Sequence, residues 1–328
     1  MLRRSEEYFR EDCGVFIPEE APGHRDEEYD PWTFELLLRM QRDHFWYRGR
    51  HKFLIEAVRS ACASPESAGG RRRRLSAVDM GGGCGGWLEY LHMQAPNLFE
   101  ELALSDSSRR ALDLAGPVVG AFAARYHSDL LDLRWQDRWD VVFLLDVIEH
   151  IPEHVNVLRQ VRQCLRPGGL LFVTTPALQF FWTYNDEFVR HQRRYSRRDF
   201  ENLAQAADLR LKRCDYFMFF LSPALYVARK WGKPSQLTTE QEIRDHLART
   251  HRIPPRPINA LLEGVFSVEA WLSRYVTIPW GTSILGVFEK PRPAVLRDSV
   301  TEVPLAHGRV ALDPTTSGPT TATTPTII

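Results

Sequence analysis

Between Leu75 and Phe219, short apolar runs alternate with longer segments whose apolar positions recur at helical spacing. Leu75–Met80 ends on glycines, and Glu101–Ser105 and the weaker run Ala121–His127 follow it. Asp140–Leu145 (DVVFLL) is continuously apolar after its first residue, the mark of a strand covered on both faces. Leu170–Thr175 (LLFVTT) comes next, entered through the turn sequence Arg166-Pro167-Gly168-Gly169. Helical patterns such as Val155–Leu165 lie between these runs. Strands alternating with helices predict an α/β fold, Rossmann-like and doubly wound around a mainly parallel sheet.

The flanks read differently. Residues 1–30 are acidic and rich in turn formers, and are expected to be a flexible N-terminal arm. Residues 31–63 predict two amphipathic helices: Phe34, Leu37 and Leu38 line one, and Phe53, Leu54 and Val58 the other. The aromatic cluster His44-Phe45-Trp46-Tyr47 joins them. Residues 219–276 read as a helical insertion, and Gly281–Glu289 as a late strand returning to the sheet edge. The domain is therefore expected over 75–290, with residues 31–63 and the insertion forming a helical cap over the C-terminal strand ends. Residues 299–328 are a Thr/Pro-rich tail too polar to form a core, and are expected to be disordered.

Charge narrows the partners. The chain of 328 residues has 42 Lys plus Arg and 42 Asp plus Glu, so no global field draws it to nucleic acid. The run Arg71–Arg74 reads as a solvated approach to the first strand. The five cysteines form no C-x-x-C pair, which argues against a disulfide framework or zinc knuckle and fits a reducing, cytoplasmic setting. The N-terminus lacks the apolar stretch of a secretory signal. The apolar run Tyr216–Ala228 is too short to span a bilayer; contact with a membrane surface stays open, as does the oligomeric state.

The strongest chemical signal is Val78-Asp79-Met80-Gly81-Gly82-Gly83-Cys84-Gly85-Gly86-Trp87, where a strand meets a helix. Glycines there let backbone approach a ligand closely, and free N–H groups at the helix start favour an anionic group. Asp106, ending the second strand beside Ser107, could accept both hydroxyls of a ribose or cap the next helix. Asp129, followed by Leu130 after the third strand, could accept an adenine amino proton or be a surface loop acid.

In order, VDMGGGCGG, LALSDSS, HSDLLDL and RWDVVFLLDVIEHIPEHVNVLRQVRQCLRPGGLLFVTTP resemble the motifs of class I S-adenosylmethionine-dependent methyltransferases. The resemblance implies a Rossmann-like enzyme with S-adenosylmethionine as cofactor. It would place Asp79, Gly81, Gly82, Gly83 and Gly85 at the methionine end, Asp106 and Ser107 at the ribose, Asp129 and Leu130 at the adenine, and Asp146 beside the methionine. Glycine stands at 82 and cysteine at 84, where the family more often has cysteine earlier and a small hydroxyl residue later. Gln179–Asp186 and Arg190-His191-Gln192-Arg193-Arg194-Tyr195 resemble a bacterial subgroup whose members often act on lipids, glycans or secondary metabolites.

Methyl transfer requires an aligned nucleophile and, for a hydroxyl, a base to take its proton. His191 and His150 are the candidates, with Asp186 as an orienting partner; either histidine could instead fix a loop. Trp182, Tyr184, Arg194, Tyr195 and Phe219 are expected to bind an apolar or aromatic small-molecule acceptor, with Arg194 able to clamp an acidic group. Asp146, Glu149 and His150 have metal-capable spacing, but a divalent cation is not expected. An RNA or protein methyltransferase and a non-catalytic cofactor-binding partner subunit are the competing readings.

Overall fold

The computed structural model describes residues 9–22, 33–62, 73–231 and 252–293, together with Thr239, Gln241, Glu242, Asp245, His246 and Arg249. The Thr/Pro-rich tail, Arg71 and Arg72 lie outside the described residues. The strands are β1 (Phe9–Asp12), β2 (Val15–Pro18), β3 (Leu75–Met80), β4 (Phe99–Asp106), β5 (Ala123–His127), β6 (Trp139–Leu145), β7 (Leu165–Pro176), β8 (Arg210–Phe217) and β9 (Ser283–Glu289). The helices are α1 (Thr33–Asp43), α2 (Phe45–Ala61), α3 (Gly86–Gln94), α4 (Arg109–Val119), α5 (His154–Cys164), α6 (Tyr184–Phe188), α7 (Arg197–Ala206), α8 (Ser222–Trp231) and α9 (Arg256–Leu272).

The nine strands among the described residues share one sheet, in the order β1-β2-β5-β4-β3-β6-β7-β9-β8. From β2 to β7 every pairing is parallel, while β9 runs antiparallel to both its neighbours. The sheet is thus the mainly parallel, doubly wound one expected. Strand β6 is buried at every position, because helices cover both faces of a parallel sheet. Asp140 near its start is not a site residue: its carboxylate accepts from the Ser76 N–H (2.9 Å) and pairs with Arg166 (2.6 Å) and Arg73 (3.0 Å). Arg73 and Arg74 of the basic run therefore hold local structure, Arg74 donating to the Pro96 carbonyl at 3.0 Å.

Two expectations change. Residues 9–18 are a hairpin rather than a loose arm, with β2 pairing in parallel to β5. Its two-residue turn, Cys13-Gly14, has φ of +51° and +74°, the geometry that tight hairpins favour. Val15 and Ile17 are buried, and Phe9 stacks against Trp135 (5.9 Å between ring centroids). The late strand β9 lies inside the sheet, because β8 takes the edge. Strand β8 escapes sequence detection because Arg210, Lys212 and Arg213 interrupt its apolar pattern; charge on an edge strand also discourages pairing with other chains.

The cap is held by specific contacts. Asn259 of α9 accepts from the Phe45 N–H (2.9 Å) and donates to the Asp43 carbonyl (2.8 Å), locking the junction of α1 and α2. At Gly49 of α2 a Cβ would fall 2.4 Å from the Phe266 ring, so α2 and α9 approach at a point only glycine allows. None of the helices among the described residues is long and apolar enough to cross a membrane.

Candidate active site

A cavity of about 600 Å³ opens over the C-terminal ends of β3 to β7, where ligands of open α/β sheets bind. One wall comes from strand ends and the turns after them: Asp79, Gly81, Gly82, Gly83, Asp106, Ser107, Asp129, Leu130 and Asp146 all line it. Gly85 does not; it is the N-cap of α3, with φ +78°. Backbone alone makes the cradle at Gly81, where φ is +70° and a Cβ would meet the Val147 side chain at 2.8 Å. At Gly82 a Cβ would fall 2.4 Å from Asp79 Oδ2.

Asp106 ties this wall together. One carboxylate oxygen accepts from the Gly83 N–H (2.9 Å), the other from the Ser108 N–H (2.8 Å). Helix α4 is capped by Ser108, whose hydroxyl accepts from the Ala111 N–H at 3.3 Å, so the cap is Ser108 rather than Asp106. Asp129 turns back onto its own loop, accepting from the Leu131 N–H at 2.9 Å. Asp79 is buried on the cavity wall, and its Oδ1 has no hydrogen-bond partner. Burial, opposed by Arg50 and reinforced by Asp106, pushes its carboxyl up to about 7. A buried polar atom without a partner calls for a missing one. The open glycine backbone, the carboxylate at the strand end and this unpartnered oxygen fit a ligand carrying an ammonium and a ribose, as S-adenosylmethionine does.

Sequence reasoning missed Arg50. This buried residue of α2 reaches the same wall, where its guanidinium pairs with Asp146. It also lies against the rings of Trp46 (5.0 Å) and Tyr47 (5.3 Å). Nothing in the helical pattern separates Arg50 from Arg48 or Arg59, which face solvent; only the packing of α2 selects it. Asp146 has φ +58° and accepts from the Thr174 hydroxyl at 3.3 Å. Such a backbone costs energy and concentrates at functional sites.

The same cavity is lined by two histidines, His150 and His191, with ring centroids 4.9 Å apart. Asp186 is fully buried behind His191, with Oδ1 2.9 Å from its Nδ1. A carboxylate in that position accepts a hydrogen bond from the Nδ1–H and leaves Nε2 as the acceptor. Arg194 grips Asp186 through Nε (2.8 Å) and Nη2 (3.0 Å), and the Thr183 N–H donates to it at 2.8 Å. Burial alone would raise the Asp186 carboxyl, but His191 and Arg194 outweigh it and hold it well below the usual carboxylate range. Burial and the neighbouring His191 lower His150 to about 3, so its ring is neutral at physiological pH.

The residues expected to bind an acceptor separate on inspection. Tyr184 and Arg194 line the cavity, whereas Trp182, Tyr195 and Phe219 do not. Three of the Arg194 N–H groups go to Asp186 and to the Ala177 carbonyl (3.1 Å), and only 3% of the side chain is exposed, so Arg194 positions Asp186 rather than clamping a substrate. Tyr195 is buried, with its hydroxyl on the Ile148 carbonyl (3.2 Å) and 2.8 Å from His154 Nδ1. Phe219 packs on Trp280 at 4.8 Å. Leu225 and Met218 supply apolar lining that no motif marked.

Of the three metal-capable positions, Asp146 is drawn off by Arg50. Glu149, His150 and His191 instead offer ligand atoms within 4.8 Å of one another. Two imidazoles and a carboxylate make a set that could hold a borderline cation such as zinc rather than magnesium. Glu149 is fully buried, and burial with Asp146 nearby raises its carboxyl well above the usual range despite Arg50 and Arg194.

Residues 39–213 match a family described as a methyltransferase domain. That is more than half of the chain, which therefore belongs to this family of S-adenosylmethionine-dependent methyltransferases. A curated relative, a ubiquinone biosynthesis O-methyltransferase of Aeromonas salmonicida, is 28% identical over 135 residues, covering 37% of this chain and 50% of the relative. The match thus spans half the length of that protein. Among solved structures, a Haloferax volcanii methyltransferase in complex with the Trm112 methyltransferase activator superimposes with a TM-score of 0.50 at 17% identity, covering 82% of this chain and 100% of the other. Phosphoethanolamine N-methyltransferase 2 of Haemonchus contortus, in complex with S-adenosyl-L-methionine, gives a TM-score of 0.50 at 14% identity, covering 84% and 62%. At these identities the structural likeness speaks to the fold.

Proposed function

We propose that the chain methylates a hydroxyl group of a small molecule, either apolar or aromatic, such as a lipid or secondary metabolite, or of glycan type. The observation that carries this reading is the Asp186–His191 pair, which presents an imidazole in the cavity that the glycine loop also lines. The relative named for O-methylation supports the choice of a hydroxyl.

When bound, S-adenosylmethionine supplies an electrophilic methyl carbon on sulfur. The residues that would hold it are Gly81, Gly82 and Gly83 through backbone, Asp79 and Asp146 at the methionine end, Asp106 and Ser107 at the ribose, and Asp129 and Leu130 at the adenine, with Gly85 shaping the turn. Arg50 offsets the negative charge of Asp146 and offers a cation to a carboxylate. His191 Nε2 takes the acceptor's hydroxyl proton, and Asp186 steadies the resulting imidazolium. Arg194 keeps Asp186 ionised and aimed. Tyr184, Met218 and Leu225 exclude water around the acceptor.

Calorimetric titration with S-adenosylmethionine tests the cofactor half. Wild type should bind at micromolar Kd, about −8 kcal/mol. Asp106→Ala should weaken binding at least tenfold, about 1.4 kcal/mol, while His191→Ala should leave it unchanged. Incubation with labelled cofactor and a panel of phenols, alcohols and amines tests the other half. Products only on amines, or undiminished O-methylation by His191→Ala, overturn the hydroxyl reading.

A further inference from the structure

Helix α9 has two apolar faces. The inward face places Phe266 and Ala270 against the core, with Lys52 reaching Glu263 (2.6 Å) and Ser267 (2.9 Å). The outward face carries Pro257, Leu261, Gly264, Val268 and Trp271, at alternating steps of four and three residues, and Tyr275 follows in the turn just beyond the helix; all six are exposed. Leu261 is 68% exposed, Val268 58%, Trp271 55% and Tyr275 70%. A solvated helix normally turns charge outward, and a contiguous exposed apolar surface marks an interaction site.

The surface extends beyond the helix. Phe220 and Trp280 are also exposed, and both touch Phe219, with centroids at 5.3 and 4.8 Å. Glu269 of α9 accepts from the Phe219 and Phe220 N–H groups (3.0 and 3.1 Å), fixing that loop to the helix. Exposed Ile253 precedes α9, between Arg252 and Pro254, which line the cavity. The elements that carry the apolar surface therefore also wall the proposed acceptor pocket.

Charge points to the partner. Between 252 and 280 the acids are Glu263 and Glu269. Glu263 is held by Lys52 and Arg48, and Glu269 lies beneath the loop amides. Among the described residues, Arg252 and Arg256 make no ion pair, and Arg274 is half-exposed beside Glu56. The rim is thus basic while its acids are internally satisfied. A single partner helix would cover the stripe alone. Bilayer lipid also accommodates Phe220, Ile253 and Trp280, and tryptophan and tyrosine favour the bilayer interface.

We propose that the outward face of α9 and the loops at Phe220 and Trp280 seat the protein on an anionic lipid surface, from which an apolar acceptor reaches the cavity. This deepens the small-molecule methyltransferase reading and rests on it for its purpose, not for its test.

The test is flotation of the full chain with vesicles of phosphatidylcholine containing phosphatidylglycerol, against phosphatidylcholine alone. Wild type should float with the mixed vesicles, and less so in high salt, which screens the basic rim. The double variant Leu261→Glu, Trp271→Glu should bind at least tenfold more weakly, while Met93→Glu, an exposed apolar position on α3, should bind like wild type. Titration with S-adenosylmethionine should be the same for all three, which separates failed docking from a failed cofactor site and reports an intact fold. Wild type that stays in solution, or a double variant that floats equally, overturns the proposal. A dimer in sedimentation that the double variant dissociates, with vesicles ignored, overturns it in favour of a second copy of the chain.

Discussion

On the cavity wall proposed for the cofactor, the chain offers backbone and short side chains delivered by neighbouring strand ends. Gly81, Gly82 and Gly83 follow β3, Asp106 ends β4, Asp129 follows β5 and Asp146 follows β6. Each sits within a residue or a few of a strand whose position the sheet dictates. On the acceptor wall, His191 is set by Asp186, Asp186 by Arg194 and Thr183, and the apolar lining by Met218 and Leu225 beyond β8. The first wall is fixed by the sheet, whereas the second is assembled from side chains that hold one another. A sheet-fixed wall suits a constant cofactor; an assembled one can be rebuilt for a new acceptor without disturbing the core.

That contrast breaks most sharply at Asp186. The Asp186→Asn variant leaves Arg194 buried without its carboxylate (3% of the arginine side chain is exposed), and removing one partner of a buried pair costs about 3 kcal/mol or more. The sign of the pH effect follows from the direction of its shift. The folded-state value of Asp186 lies below the unfolded one, so its contribution is complete above the unfolded carboxylate value of about 3.9 and is lost only as pH falls below it. Thermal unfolding should show the variant destabilised by a constant amount from neutral pH down to about 4, with the gap closing in stronger acid. Cofactor affinity should barely move. A gap that closes already between pH 7 and 5 would mean that a histidine, not Asp186, carries the effect.

Gly81→Val tests the other wall. The substitution forces a side chain toward Val147 on a backbone at φ +70°, and overpacking of this kind costs about 2 kcal/mol. It should weaken S-adenosylmethionine binding roughly thirtyfold in calorimetry. If the acceptor KM changed while cofactor affinity held, the two walls would be exchanged.

The sequence made the sheet-fixed wall visible and left much of the other dark. Val78 to Gly86 could be read because a loop that must admit a ligand's backbone contacts needs glycine, and glycine is written in the chain. Asp106 could be read because it ends an apolar run. Arg50 could not, since one arginine among Arg42, Arg48 and Arg59 acquires meaning only when α2 packs over Asp146. Strand β8 was hidden by its own charges, and β9 was expected at the sheet edge because nothing announced the strand outside it. The hairpin at residues 9–18 was lost among acidic neighbours, although Cys13-Gly14 carries the turn. Aromatic content misled most: Trp182 and Phe219 suggested a lining, yet neither lines the cavity, and Phe219 packs on Trp280.

That last misreading supplies the smallest effect. Tyr184 lines the cavity beside His191, whereas Phe219 is fixed between Trp280 and Phe220. Truncating a side chain that touches only one face of a ligand removes about 1 kcal/mol of contact. Tyr184→Ala should therefore raise the acceptor KM about fivefold and leave the cofactor Kd alone. Phe219→Ala should lower the melting temperature and leave both constants near wild type, because it opens a gap in a packed loop rather than in the pocket. If Phe219→Ala raised the acceptor KM as much as Tyr184→Ala, the loop at 219 would close over the substrate during turnover. The acceptor wall would then be a moving one, in contrast to the fixed wall of the cofactor.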